Sequence, residues 1–428
     1  MLRAFVNKIL ALTIGLFFLL QFTKAAQIII PMDAGQKNHL KAYGIAYWCL
    51  TQNTEVYWLL NYRGGSFLIQ SSPELLRKCA VRGVSTEHIS DAAKQTLLDD
   101  ISNPEVNQDA VKLEKAPKIA VYTPGGKQPW DDAVTLVLTY AEIPYDEIYD
   151  EKVYQGVLKN YDWLHLHHED FTGQYGKFYA GYSHTAWYQK EVYENEAMAK
   201  KLGFGKVSKL KLHTAHNIRD FVFSGGFLFA MCSATDSYDI ALAAEGIDIC
   251  ESVFDHDPAD PQAASKLDFK KGFAFENYQL SMNPFEYEYS NIDTYSTRAL
   301  KYSITQRNDR FILFDFSAKW DPVPSMLCQN HETNLQAFWG QTAAFNKSVI
   351  KKNVLIMGET KAFNEARYIH GEFGQGTWTY YAGHDPEDYQ HKVEDPPTDL
   401  ALHPNSPGYR LILNNVLFPA AKKKKQKT

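Results

Sequence analysis

A cysteine between small residues is the first candidate for chemistry in this chain. Residues 225–235 predict a buried strand that ends at Cys232 and turns directly into a helix. Such a turn strains the backbone, lifts one side chain above the sheet and directs helix N-terminal N–H groups at it, which lowers the pKa of a thiol. Cys232 is therefore a candidate nucleophile. The structural alternative is an inert thiol, because unpaired cysteines between apolar residues usually pack as hydrophobic side chains.

A histidine late in the chain supplies a matching base. The sequence predicts a hairpin that ends next to His384. Its signals are the glycine turn at residues 374–376 and the strand pattern that continues to Ala382. Thiol catalysis pairs the cysteine with a histidine that moves protons and with a carboxylate that orients the imidazole. Glu387 is the candidate carboxylate, with Asp385 as the alternative. The predicted catalytic residues are Cys232, His384 and Glu387.

A second polar cluster follows the predicted strand at residues 163–167. Ligands of α/β sheets bind beyond the carboxyl ends of the strands, so we expect residues 167–170 to lie beside the cysteine. The candidate substrate-binding residues are His168, Glu169, Asp170 and Ser233. His165, His167 and His168, with His213 and His216, are also compatible with a metal site. No specific zinc spacing is present, so neither a metal nor another cofactor is predicted.

The elements that must position these residues alternate along the chain. Residues 27–65 predict a small β-α-β unit, residues 73–110 a helical connector, and the chain from Pro117 a second series of strands and helices. This alternation predicts a parallel sheet covered on both faces. Residues 250–300 interrupt it with an aromatic-rich insertion that could roof the pocket. Aromatic rings there and at 179–193 could alternatively stack sugars.

Composition excludes several classes of protein. The chain has 428 residues, 45% of them hydrophobic, which predicts a globular protein of two or three domains. Its net charge of −6 argues against a nucleic-acid partner. Five cysteines form an odd set, so at least one thiol is free unless chains are cross-linked, and the number is too small for a disulfide scaffold.

The two ends of the chain differ in composition from the rest of the sequence. The N-terminal pattern predicts a secretory signal peptide over residues 1–26. It consists of the basic residues Arg3 and Lys8, an apolar run at residues 9–20 and small residues after that run. We therefore expect a periplasmic or secreted protein without a stable membrane span after cleavage. The expected units after the signal peptide are an N-terminal α/β unit with its connector at 27–115, the main domain at 116–421, and a basic tail at 422–428.

These motifs together resemble a known superfamily. Three features resemble the class I glutamine amidotransferase-like superfamily. They are the cysteine turn at 226–234, the glycine turn and strand before His384, and the closing helix around Asn414 and Asn415. The resemblance implies a flavodoxin-like parallel sheet over residues 116–421 and amide hydrolysis through a thioester. The whole chain also resembles exported bacterial proteins labelled asparagine synthetase B.

The sequence departs from these families at several positions. Ala230 and Ala234 stand where the superfamily has glycines, Glu387 follows His384 by three residues instead of two, and the loop at 167–173 lacks a glycine-rich oxyanion cradle. Amide synthesis is disfavoured, because the chain has neither an N-terminal catalytic cysteine nor an SGGxDS loop for ATP.

The sequence thus predicts an exported thiol-dependent hydrolase or amidohydrolase that acts on a small polar or cell-envelope amide. One alternative is a catalytically inactive module that binds a sugar or a peptide. A metal-dependent hydrolase is another, and asparagine synthetase B-like amide transfer is the least favoured. The oligomeric state is not predicted.

Overall fold

The computed structural model describes residues 27–125, 128–294 and 304–421, which form two β-sheets with helices around them. The predicted signal peptide at 1–26 and the basic tail at 422–428 lie outside the described residues. The insertion predicted at 250–300 is described up to residue 294. It consists of short helices, turns and isolated bridges instead of long strands.

The first sheet is antiparallel and occupies residues 27–113. Its strands are Gln27–Ile30 (β1), Val56–Leu60 (β2), Ser66–Gln70 (β3), Glu87–Ile89 (β4) and Asp109–Leu113 (β5). They lie in the order β4-β1-β3-β2-β5. The predicted β-α-β unit is therefore wrong, because β3 lies between β1 and β2 and pairs antiparallel with both. The tight turn at residues 61–65, with positive φ at Asn61, Arg63, Gly64 and Gly65, returns the chain along β2 as a hairpin.

Three helices accompany this sheet. They are His39–Thr51 (α1), Pro73–Val81 (α2) and Asp91–Ser102 (α3), and the side chains of Asn38, Ser72 and Ser90 cap their first turns. α1 is buried around most of its circumference, since it lies between the first sheet and the helices of the second. A Cβ on Gly44 of α1 would lie 1.8 Å from the carbonyl oxygen of Ala141, so the absence of a side chain there permits the close helix contact.

The second sheet has ten strands. They are Ile119–Tyr122 (β6), Asp146–Ile148 (β7), Trp163–Leu166 (β8), Phe227–Met231 (β9), Arg310–Leu313 (β10), Asn334–Gln336 (β11), Phe345–Asn346 (β12), Leu355–Thr360 (β13), Glu365–Phe373 (β14) and Gly376–Tyr381 (β15). Their order is β11-β10-β13-β14-β15-β9-β8-β6-β7, with β12 paired to β14. β6, β8 and β9 are buried along their whole length, as expected for strands covered on both faces.

The flavodoxin-like parallel sheet expected over residues 116–421 is wrong as a description of this domain. β15, β9, β8, β6 and β7 run parallel, but β10 to β14 add five antiparallel strands, so the sheet is mixed. The reversal occurs at the turn of residues 374–375, where Gly374 has a φ of 64° and β14 and β15 form a hairpin. From that hairpin outward, each neighbouring strand runs antiparallel to the one before it.

Ten α-helices of the described residues surround the second sheet. They are Ala133–Ala141 (α4), Asp150–Tyr154 (α5), Tyr179–Tyr182 (α6), Ala186–Lys201 (α7), Val207–Phe223 (α8), Ala234–Ala243 (α9), Ser252–Asp255 (α10), Ala263–Lys266 (α11), Pro322–Leu327 (α12) and Pro407–Leu417 (α13). One apolar core joins α1, α4 and α13 to both sheets, and a second covers the opposite face under α8 and α9. Among the described residues, no helix combines the length and the apolar character needed to cross a membrane.

A buried arginine joins α13 to the first sheet. Arg410 is 0% exposed and donates hydrogen bonds to the carbonyl oxygens of Met32, at 2.9 Å, and Gly64, at 2.7 Å. Met32 follows β1, and Gly64 lies in the turn between β2 and β3. The guanidinium therefore fixes the relative placement of the two sheets.

We predict that Arg410→Met lowers the free energy of unfolding by about 3 kcal/mol, because two buried carbonyl groups lose charged donors. The exposed Arg77→Met, which makes the same chemical change on α2, should alter it by less than about 0.5 kcal/mol. Urea unfolding followed by tryptophan fluorescence measures both. Equal midpoints for the two variants would contradict the role given to Arg410.

Candidate active site

Cys232 occupies a strained turn between β9 and α9. Its φ is +50°, in the left-handed region that non-glycine residues rarely adopt, and its side chain is 3% exposed. The backbone N–H of Ala234 donates to the carbonyl oxygen of His167 at 3.0 Å, which ties this turn to the end of β8. Ala230 and Ala234 are fully buried, so small side chains fill the positions on either side of the turn.

His384 lies three residues after β15 and is held by a neighbouring loop. The N–H groups of Gly383 and His384 donate to the carbonyl oxygens of Thr342 and Trp339, each at 2.8 Å. Gly340 of the same loop is wedged against both candidate residues. A Cβ placed on Gly340 would lie 2.8 Å from the His384 backbone nitrogen and 3.0 Å from the Cys232 sulfur. The loop thus places the thiol and the histidine segment together against one glycine.

The thiol and the imidazole stabilise each other's charged forms. Burial alone would raise the pKa of Cys232, but hydrogen bonding and charge from His384 lower it below its usual 9.0. The backbone N–H of Gln341 also points at the sulfur, at 3.3 Å, and that of Thr342 contributes in the same direction. Burial opposes protonation of His384, yet Asp131 and Cys232 raise the pKa of His384 to about 10. The arrangement favours a thiolate beside an imidazolium.

The carboxylate beside His384 is Asp131. Its Oδ1 lies 3.8 Å from His384 Nε2 and 3.1 Å from Nε2 of His391. The His391 ring stacks on the His384 ring with centroids 4.3 Å apart, and its Nδ1 lies 2.9 Å from Asp388. Burial acts to raise the pKa of Asp131, but the two histidines lower it overall. Asp131 therefore stays ionised next to the imidazolium.

The structure places the predicted carboxylates elsewhere. Glu387 Oε2 lies 3.0 Å from Nδ1 of His403, whereas the carboxylate that lies beside His384 is that of Asp131, at 3.8 Å. Asp385 accepts the N–H of Glu387 at 2.8 Å and interacts with the Tyr409 hydroxyl. The shift of one residue in the His-x-x-Glu spacing turns the glutamate side chain toward the segment before α13. Sequence reasoning missed Asp131. A usable signal was its place just before α4, beyond the carboxyl end of β6.

A layer of histidines adjoins the candidate pair. Asp132 caps α4, accepting the N–H groups of Val134 and Thr135, and it also contacts His165 Nε2 at 3.2 Å and His167 Nδ1 at 3.3 Å. Burial acts to raise the pKa of Asp132, but the two histidines hold it well below its ordinary value. The rings of His167 and His384 lie 4.4 Å apart. Asp132 therefore orients His167 against the His384 imidazole.

The predicted substrate-binding residues divide into two groups. His168 and Glu169 line a cavity next to Cys232, whereas Ser233 donates to the carbonyl oxygen of His168 at 3.2 Å and supports the loop. Asp170 does both, since it lines that cavity while its Oδ1 accepts the N–H of Thr172 at 2.7 Å. His213 and His216 lie on α8, where His216 is 3.6 Å from Glu245, so the structure separates them from the loop histidines.

A cavity of about 920 Å³ opens over the thiol and the imidazole. Its wall is rich in aromatic rings. These are Trp130, Phe178, Tyr182, Trp187, Tyr287 and Trp339. The side chain of Gln341 donates to the carbonyl oxygens of Gly176, at 2.6 Å, and Tyr287, at 3.1 Å, which holds the aromatic-rich segments over the site. We call this space the thiol pocket.

Three histidines of the site could hold a transition metal. Ligand nitrogens of His167, His168 and His384 lie within 4.8 Å of one another. Within the described part of the chain, His167 Nε2 and both ring nitrogens of His168 are buried without a hydrogen-bond partner, whereas His167 Nδ1 faces Asp132. Burial lowers the pKa of His167 to about 4, and the pKa of His168 is also well below its ordinary value, so both offer neutral imidazoles. Neutral imidazole is the form that binds zinc and related ions.

No protein-family model matches the chain, and the search of curated proteins gives no match. The chain is similar to two solved cytoplasmic proteins from Salmonella typhimurium. One is 10% identical over 72% of this chain and 100% of that chain, with a TM-score of 0.32. The other, from strain LT2, is 10% identical over 71% of this chain and 100% of that chain, with a TM-score of 0.34.

A beta-galactosidase from Bacillus circulans sp. alkalophilus is also similar. It is 12% identical over 73% of this chain, with a TM-score of 0.26, and the chain spans 32% of that enzyme's length. At such TM-scores the likeness assigns neither a fold family nor an activity to this chain. The candidate site therefore rests on its own geometry.

We predict that Gly340→Ala slows the reaction of Cys232 with iodoacetamide at least tenfold at pH 7, because the added methyl group forces the sulfur and the His384 segment apart. Gly205→Ala is the matched control, since nothing lies within 4 Å of its added Cβ. Peptide mass spectrometry quantifies the alkylation of Cys232 over time. Equal rates in the two variants would show that the Gly340 contact does not set the thiol's reactivity.

Proposed function

We propose that this protein is a thiol-dependent hydrolase that cleaves an amide through Cys232, His384 and Asp131. The observation that supports it most directly is the strained Cys232 turn, whose sulfur meets a buried imidazole backed by an ionised carboxylate. The nucleophile, the base and the orienting carboxylate come from three distant parts of the chain; Cys232 and His384 line the thiol pocket, and Asp131 lies beside His384. Nucleophilic catalysis requires a base beside the nucleophile and a group that orients the base.

The proposed reaction proceeds in two steps. The Cys232 thiolate attacks the amide carbon and forms a C–S bond, and His384 donates its proton to the departing amine as the C–N bond breaks. Water then attacks the thioester, His384 accepts a proton from that water, and the thiolate leaves as a carboxylic acid is released. Asp131 keeps the imidazole in place through both steps. The Gln341 N–H, which points at the sulfur, is close enough to stabilise negative charge on the adjoining carbonyl oxygen.

The amide as the cleaved bond is supported by the resemblance to class I glutamine amidotransferases at the cysteine turn and the histidine strand. A small polar or cell-envelope amide fits the thiol pocket, whose aromatic wall encloses about 920 Å³. Synthesis of asparagine-type amides is disfavoured, because the sequence lacks the ATP-binding loop. We propose no nucleic-acid partner, in keeping with the net charge of −6, and propose export on the strength of the N-terminal signal sequence.

An inactive binding module is the competing function, and the aromatic wall favours it. Trp130 stacks on Phe178 at 5.3 Å and meets the edge of Trp187 at 5.3 Å, a surface on which a sugar ring could lie. Such a module needs no reactive thiol. The lowered pKa of Cys232 would then have no function, so thiol reactivity separates the two candidates.

We predict that iodoacetamide labels Cys232 stoichiometrically at pH 7, whereas the other cysteines stay unlabelled in the folded protein. Burial raises the pKa of Cys49 to about 12 and that of Cys79 to about 11, and it also raises those of Cys250 and Cys328. His384→Ala should lower the labelling rate at least about tenfold, because the desolvated thiolate loses its cation. An unreactive Cys232 in the wild-type protein would favour the binding module.

The carboxylate assignment gives a paired test. Asp131→Asn should slow both labelling and hydrolysis, since it removes the charge that raises the pKa of His384. Glu387→Gln should leave both unchanged, because Glu387 faces His403. The measurement is the initial rate of ammonia or amine release from an amide library, alongside labelling kinetics. A larger loss in Glu387→Gln than in Asp131→Asn would restore the assignment expected from the sequence.

The metal-dependent alternative predicts a different response. We expect dialysis against a chelator to leave hydrolysis and Cys232 labelling unchanged, because the proposed steps use only side chains of this chain. Elemental analysis of the purified protein and activity before and after dialysis are the measurements. Loss of activity on dialysis, with recovery on addition of zinc, would instead favour a hydrolase that uses His167, His168 and His384 as ligands.

A further inference from the structure

A second cavity adjoins the thiol pocket. It encloses about 400 Å³ and shares Trp130, His168 and Trp187 with the pocket that contains Cys232. We call it the side cavity. Because His168 and the two tryptophans border both spaces, a molecule whose amide lies at Cys232 can extend past His168 into the side cavity.

Carboxylates dominate the inner wall of the side cavity. Glu169, Asp170 and Glu191 all line it. The lysine that reaches it from α8, Lys211, lies 2.7 Å from Asp150 and is therefore already neutralised. The two lysines on α7 are also paired: Lys190 with Glu194 at 3.7 Å, and Lys201 with Glu151 at 2.6 Å. None of these lysines forms an ion pair with Glu169, Asp170 or Glu191, so the wall offers three carboxyl groups without a lysine partner.

Glu169 has one carboxylate oxygen in use and one without a partner. Glu169 is 6% exposed, and its Oε2 accepts a hydrogen bond from the backbone N–H of His167 at 3.0 Å. Oε1 is buried and has no hydrogen-bond partner among the described residues. His168 Nε2 lies 3.9 Å from Oε1, but burial keeps that imidazole neutral. A buried carboxylate oxygen in this state requires a donor, and the side cavity is the space from which one can arrive.

The surroundings of Glu169 favour a cationic donor. Asp170 and Glu191 line the same wall, so a cation bound there would be attracted by their carboxyl groups as well as by the unpartnered Oε1 of Glu169. Burial raises the pKa of Glu191 to about 7, and the charge of Asp170 adds to the effect. Rings of Trp130, Tyr149 and Trp187 line the same cavity and offer faces that attract cations.

We propose that the side cavity binds an alkylammonium group of the substrate, with Glu169 as its anionic partner. The substrate class is then an amide whose acyl or amine portion carries a primary amino group several bonds from the reacting carbon. The position of that amide at Cys232 rests on the proposed function, whereas cation binding in the side cavity does not.

The test uses n-pentylamine as the cationic probe, with 1-pentanol and valerate as neutral and anionic probes of matched length. Binding is followed by calorimetry and by the fluorescence of Trp130 and Trp187. We expect saturable binding of n-pentylamine, at least tenfold weaker binding of 1-pentanol and no binding of valerate. Glu169→Gln should reduce the affinity for n-pentylamine at least tenfold, to the level of 1-pentanol.

The matched control is Glu196→Gln, which removes the same charge from an exposed position on α7 outside the cavity wall and should leave the affinity unchanged. If Glu169→Gln does not fold, Glu191→Gln replaces it, with an expected loss of at least threefold. Equal affinities for n-pentylamine and 1-pentanol, or an unchanged affinity in the folded Glu169→Gln protein, would overturn the proposal.

The two proposals fail separately. Cys232→Ser should retain n-pentylamine binding, because the thiol does not contact the side cavity's carboxylates. An inert Cys232 together with specific n-pentylamine binding would reject the hydrolase and leave the cation site standing. A reactive Cys232 without amine binding would reject the cation site alone.

Discussion

The proposed site depends on one buried ion pair, between the Cys232 thiolate and the His384 imidazolium. Both side chains are almost completely enclosed, at 3% and 5% exposure, so burial by itself disfavours the charged form of each. Mutual attraction in a site of low polarity overcomes the desolvation of both. The remaining features of the site serve this pair: Gly340 leaves room for it, Asp131 supports the cation, and the Gln341 N–H supports the anion.

The fold explains why such distant residues meet. β9 and β15 are adjacent parallel strands, so their carboxyl ends deliver Cys232 and His384 to the same edge of the sheet. β8 and β6 bring His167 and the Asp131–Asp132 segment to that edge from the other side. The antiparallel strands then carry the chain back around the site and return the Gly340 loop to its roof.

The local parts of the site could be predicted from the sequence, and the pairings between distant parts could not. A strand that ends in small residues around Cys232, and a glycine hairpin before His384, are local signals. The β14–β15 hairpin was expected from its glycine turn, but the antiparallel pairing of β10, β11 and β13 was missed, because the residue pattern of a strand does not show the direction of its neighbour. The turn at Gly64 and Gly65 did signal reversal, but the helix before it suggested a β-α-β unit. Asp131 was missed because only tertiary packing brings it to His384, whereas Glu387 was close in sequence.

The most direct test of this ion pair is the ultraviolet absorbance of the thiolate near 240 nm. The difference between wild-type protein and Cys232→Ala, titrated from about pH 5 to pH 10, reports the ionisation of this one sulfur. The account predicts that the thiolate forms with a midpoint below 9.0, the ordinary value for cysteine. A midpoint above that value, the behaviour of a buried thiol without a cation beside it, would contradict the account.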